Sequence, residues 1–220
     1  MNKLLRKEFS LCFHASVGIY MVFAFFVLIP NYPYEIIFFF SAMSAFFICL
    51  KARETGDLEY TLILPVKRSS VPIARILFCV ILQCIFVLIA GVSVAIKELV
   101  FPAEFLINEA GNSANIALIG WGFIFLGIFN TVFFPLHYRK PDKVGVPFLI
   151  AALVLGAVIA VLMTLNFALP AFEAMNAPDP ENIGMKLGVL LGGMAFYAGS
   201  TAVTAWLSSK IFCGGVYGRV

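Results

Sequence analysis

Between Lys51 and Arg75 the chain reads KARETGDLEYTLILPVKRSSVPIAR, a denser mixture of acids and bases than any other segment holds. Glu54, Asp57, Lys67, Arg68 and Arg75 are interleaved there with Leu58, Leu64, Pro65 and Val66. Such a mixture is not a catalytic set. It suits docking, in which apolar knobs fill a groove and charges fix the register. Other residues able to do chemistry are sparse. The two histidines, His14 and His137, fall near expected cytosolic span ends, and no nucleophilic triad can be assembled around either. No H-E-x-x-H, no CxxC and no clustered metal-ligand set occurs. Paired aspartates at a span end, which a Mg²⁺-dependent lipid-modifying enzyme would want, are missing. So is a G-x-x-x-x-G-K-[ST] phosphate loop. The chain is expected to be no enzyme, to bind no metal, cofactor or nucleic acid, and to depend on a partner for any uphill work. Gln83, Asn130 and Asn166 are polar residues inside apolar runs. They read either as helix-to-helix hydrogen bonds or as the lining of a cargo path.

The elements that must position these residues follow from composition. Of 220 residues, 62% are hydrophobic and 12% charged, and 24 are Phe. Soluble domains carry about 25% charged residues, so lipid must be the solvent. About 20 apolar residues cross a bilayer as a helix, and six such runs are present: 11–29, 34–50, 73–96, 114–134, 146–169 and 185–209. The alternation of barrel strands is absent, and a spanning backbone must satisfy its own hydrogen bonds. The predicted fold is an all-α integral membrane bundle of six transmembrane helices, one domain over 1–220. Residues 1–10 read as an interfacial amphipathic helix, with Lys3, Arg6, Lys7 and Ser10 on one face and Met1, Leu4, Leu5 and Phe9 on the other.

Residues 51–72 form a loop in which Asp57 is placed to cap a short helix, Leu58 to Leu64, that Pro65 stops. Ser70 is placed to cap the next helix, and 135–145 form a second loop. The Leu187-Gly188…Gly192-Gly193 run favours close helix packing. With both termini in the cytosol, every one of the 15 Lys and Arg except Lys97 and Lys186 falls inside, which predicts an N-in, C-in topology. The five cysteines, Cys12, Cys49, Cys79, Cys84 and Cys213, sit in spans or at their cytosolic ends, an arrangement of packing residues rather than a disulfide framework. No Asp, Glu, Lys or Arg lies deep in a predicted span, which argues against an ion-coupled carrier.

Glu54, Asp57, the Leu64-Pro65-Val66-Lys67-Arg68 block and Ala74-Arg75 resemble the loop after the second span in type-2 ABC exporter permeases. They are most similar to the small six-span group of Gram-positive bacteria that includes phenol-soluble-modulin exporters and the bacitracin and lantibiotic self-protection permeases. Pro135-Leu136-His137-Tyr138-Arg139, with Lys143, looks like that group's second cytosolic loop, although Pro141-Asp142 departs from its pattern. The resemblance implies a half-transporter of the bacterial cytoplasmic membrane. Two permeases, copies or paralogues, would pair, each seated on a cytosolic ATPase subunit that holds the ATP and Mg²⁺. The loop around Asp57 to Arg68 would be the coupling helix. Tyr138, Arg139 and Lys143 would make a second contact, and residues 1–10 an elbow helix. Cargo would be amphipathic peptides, peptide antibiotics or hydrophobic compounds moved outward. A different reading of residues 51–75 is a non-transporting membrane scaffold or immunity protein that holds a cytosolic partner by the same loop.

Overall fold

A computed structural model describes residues 2–11, 15–102, 105–108 and 112–215. Met1, Cys12 and His14 lie outside them. Among the described residues the helices are α1 (Asn2–Leu11), α2 (Ala15–Val22), α3 (Ile37–Glu54), α4 (Asp57–Ile63), α5 (Ser70–Val100), α6 (Ile116–Arg139), α7 (Gly145–Ala168), α8 (Pro170–Asn176) and α9 (Ile183–Gly214). Tight 3₁₀ turns cover Phe23–Leu28, continuing α2, and Tyr34–Ile36, leading into α3. The helices that hold α3, α5, α6, α7 and α9 are long and apolar enough to cross a bilayer. The run expected as a first span is shorter, an apolar helix over Val17–Leu28.

The end of that helix is closed by a local contact. Lys97, expected in an external loop, lies on α5 and is fully buried. Its Nζ donates to the Val27 carbonyl at 2.9 Å and to the Tyr34 hydroxyl at 2.6 Å, and sits 4.3 Å from the centre of the Tyr34 ring. The carbonyl it takes belongs to the last turn before the Pro30–Pro33 reversal, where Asn31 adopts φ 60°, a left-handed value that Asn tolerates. A buried ammonium thus satisfies a helix end that lipid cannot.

The α6 and α9 backbones make the closest approach in the bundle. A Cβ on Gly120 would stand 2.6 Å from the Val189 carbonyl oxygen, and one on Gly193 would overlap the Gly120 carbonyl. Of the glycine run read as a packing motif, Gly193 alone does this work; Gly188 and Gly192 have nothing within 4 Å of an added Cβ. A polar clamp reinforces the seam. Gln83 Nε2 donates to Asn130 Oδ1 at 3.0 Å, Asn130 Nδ2 returns a bond to Gln83 Oε1 at 2.7 Å, and the Tyr197 hydroxyl donates to the same Oε1 at 2.6 Å. The three side chains tie α5, α6 and α9 together.

α6 runs through Pro135 to Arg139, so the second loop shrinks from the expected 135–145 to 140–144. Likewise α3 continues to Glu54 and α5 starts at Ser70, leaving 55–69 for α4 and its flanks. Substituting Gly193→Ala should lower the unfolding temperature of the purified protein, because the obstacle is backbone; overpacking of this kind costs about 1–3 kcal/mol. Gly188→Ala should leave it unchanged. Thermal unfolding of the two variants side by side checks this, and equal behaviour would refute the close α6–α9 seam.

Candidate functional site

α4 sits at the end of the bundle that carries the basic residues. Gly56, at φ 63°, turns the chain out of α3, and Leu64 leaves the helix extended at ψ 150°, as a residue before proline must. The expected cap does not form. Asp57 is the first residue of α4, and its side chain makes no cap; the carboxylate turns inward instead, because stronger partners lie there. Ser70 likewise begins α5 without capping it.

Those partners come from α1 and α5. Arg75 Nε donates to Glu8 Oε2 at 2.6 Å and its Nη2 to Glu8 Oε1 at 3.2 Å; Nη2 also reaches Asp57 Oδ2. Lys7 Nζ lies 2.8 Å from Asp57 Oδ1 and 2.9 Å from Oδ2, donates to Thr61 Oγ1 at 2.7 Å, and stands 3.1 Å from Glu8 Oε1. Two acids and two bases therefore cancel in a buried cluster that joins α1, α4 and α5. Burial works to raise the Glu8 carboxyl, but Arg75 and then Lys7 outweigh it and hold it below the ordinary value of 4.5.

The cluster changes which residues face outward. In α1, Leu4 and Glu8 are buried, Lys7 points in with them, and Phe9 is 41% exposed, its ring edge against Phe78. The expected two faces are thus rotated. In α4, Leu58 and Leu62 pack against the core with Val66, while Ile63 is 84% and Tyr60 56% exposed. One turn of helix puts Ile63 with Glu59 and Tyr60 rather than on the side of Leu58 and Leu62.

Among the residues expected to touch a partner, Asp57 and Arg75 are buried in the ion cluster, and Tyr138 is buried against Phe212 with ring centres 5.7 Å apart. Their side chains are packed against neighbouring elements. Glu54, Pro65, Lys67, Arg139 and Lys143 are exposed, and Leu64 and Arg68 are half-buried. Arg53 Nη1 donates to the Asp142 carbonyl at 3.4 Å, linking the α3 end to the α6–α7 turn. Beneath that link is a cavity of about 50 Å³ whose walls include Gly56, Glu59, Arg75, His137 and Tyr138. Gln83 and Asn130 are buried and pair with each other; Asn166 lies at the opposite end, donating to Asn112 Oδ1 at 3.1 Å.

Sequence reasoning missed Glu8. It is an acid four residues after Leu4, in the buried stripe of an otherwise basic helix, and that misplacement was the available signal.

A family model described as ABC-2 family transporter protein matches residues 3–212. Searches of the curated proteins and of the solved structures found no match.

Arg75→Ala should destabilise the protein by about 3–5 kcal/mol, since it strands two buried carboxylates on one lysine. The depressed Glu8 carboxyl adds a pH dependence. Its contribution is complete above about pH 4.5 and is lost as pH falls through the lower folded value. Glu8→Gln should therefore flatten the acid limb of the stability–pH curve, read by thermal unfolding between pH 3 and pH 7; an unchanged limb would contradict the cluster.

Proposed function

The chain belongs to the ABC-2 family of transporter proteins, and on that premise we propose that it is the permease half of an ATP-driven exporter, worked from the cytosol through α4. It is a multi-pass membrane protein and a permease of an ABC transporter, and the family implies an ABC ATPase as its partner. The finer reading has six crossings, the first made by the short α2 segment, with both termini in the cytosol of a bacterial cell. A separate subunit holds the ATP and Mg²⁺, and a second permease, copy or paralogue, completes the path. Amphipathic peptides, peptide antibiotics or other hydrophobic compounds are the cargo, on the resemblance of the Leu64–Arg68 block.

The observation that supports this best is the division of α4 into two faces. Its inner face is fastened by Asp57 and Thr61 to Lys7 and Arg75. Its outer face presents Tyr60 and Ile63 beside Glu59, with Lys67 beyond the helix. A large exposed aliphatic and an aromatic ringed by charges fit the groove-filling mode of a docked helix. Force applied there passes through the ion cluster to α1 and α5, and from α5 through Gln83 to α6 and α9.

Ile63→Asp should weaken capture of the ATPase subunit at least roughly tenfold, about 1.4 kcal/mol, and abolish cargo-stimulated ATP hydrolysis in proteoliposomes. Membrane insertion and thermal stability should stay at wild-type levels, because the side chain packs on nothing. Retained capture and hydrolysis would overturn the assignment of α4. Intact capture by the wild type with no cargo response would favour a scaffold.

A further inference from the structure

At the end of the bundle away from α4, the chain gathers polar groups around Asn112. Its Nδ2 donates to Glu35 Oε1 at 2.7 Å, and its Oδ1 accepts from Asn166 Nδ2 and Asn176 Nδ2, each at 3.1 Å. Asn108 anchors the hub, its Oδ1 accepting from the Asn112 amide at 2.9 Å and its Nδ2 donating to the Tyr32 carbonyl. Glu35, Asn112, Asn166 and Asn176 line one cavity of about 10 Å³, walled on its apolar side by Leu118, Trp121 and Leu162. That is room for about one water-sized body.

The charge balance of this cavity is incomplete. Glu35 is 4% exposed, and its Oε2 has no hydrogen-bond partner. Among the described residues no lysine, arginine or histidine lies within ion-pair distance of it; Lys97, on the neighbouring Tyr34, is engaged with Val27 and the Tyr34 hydroxyl. The Asn166 and Asn176 side chains spend their NH₂ groups on Asn112, which leaves their carbonyl oxygens as acceptors. A carboxylate buried with neutral donors alone is costly unless a positive charge joins it.

We propose that this cavity binds one small monovalent metal cation, with Glu35 Oε2 as the charged ligand and the Asn166 and Asn176 amide oxygens as neutral ones. The donors are all hard oxygens, which select alkali and alkaline-earth ions over zinc or copper. A single carboxylate balances one positive charge; a divalent ion would leave an excess charge in a closed site, and calcium sites recruit more oxygens than this cavity offers. A proton would neutralise Glu35 but offers the amide oxygens at most one hydrogen bond, whereas a cation can take both at once. The site joins the second-span start to the 105–108 and 112–115 stretches, the fifth-span end and α8, so occupancy would brace that end of the bundle. It does not rest on the transport reading.

The test is thermal unfolding of the full-length protein in nanodiscs, in sodium chloride against choline chloride at equal ionic strength. Wild type should show a saturable rise of ~3 °C or more with sodium. Glu35→Gln, which keeps the Asn112 bond, should lose that rise while matching wild type in choline. Asn166→Ala should shift the sodium midpoint several-fold upward, and it decides the matter if Glu35→Gln fails to fold. The proposal is overturned by a wild type indifferent to sodium, by an undiminished rise in the folded variants, by stabilisation with acid alone, or by a larger rise with calcium than with sodium.

Discussion

A carboxylate removed from water must find its counter-charge inside the protein, and where α1, α4 and α5 meet, Glu8 and Asp57 find theirs in Arg75 and Lys7. The position of α4 depends on that exchange. Seven residues of helix joined by a left-handed glycine on one side and a proline on the other would not hold a fixed orientation by themselves, since isolated helices of that length are marginal. The ion cluster supplies the orientation. It also explains why apolar residues remain on the water-facing surface of α4: the charged partners occupy the inner face, and the remaining turn is left to Tyr60 and Ile63. A buried ion pair is weak evidence for stability but a good device for specifying one arrangement over others. Here the arrangement specified is the angle of α4 against α1 and α5.

The same accounting recurs along the chain, with cations closing helix ends. Lys97 takes the carbonyl of Val27 where the first apolar segment breaks off. Lys186 donates to the carbonyls of Ala177 and Pro178 and pairs with Asp179 at 2.8 Å, closing the turn that follows α8. Asp179 Oδ2 in turn accepts from the Ile116 amide at 3.0 Å at the α6 start, where the Asn115 side chain also accepts from Leu118. These two lysines are the exceptions to the positive-inside pattern. They are spent on the backbone as structural groups, and so carry little weight as topology signals.

Much of the architecture was legible in the sequence because it follows from one-dimensional quantities. Apolar runs of sufficient length gave α3, α5, α6, α7 and α9, and the Pro30–Pro33 and Pro65 signals marked real breaks. What was not legible depends on which way a helix is rotated. Charge on α1 reads equally well as a wetted face or as a buried partner until α5 is in place, so Glu8 was missed, Lys7 was placed on the charged face, and Phe9 was placed with Leu4 on the apolar one. Asp57 is a good cap by type, yet a guanidinium nearby in space outcompetes an amide nearby in sequence. The glycines at 188, 192 and 193 are identical as letters, and only the contact with Gly120 distinguishes the third. Gln83 and Asn130 carried two readings; their mutual bonds and burial favour the clamp.

Arg75 and Lys97 stand on the same helix, and both are held by other elements. Their separation along α5 is about 33 Å at ~1.5 Å per residue, close to the ~30 Å of hydrocarbon in a bilayer. Each cation therefore fastens one end of this stretch of α5 to other elements. Sliding α5 along its axis would break both sets of contacts at once, so it can lean or pivot but hardly translate.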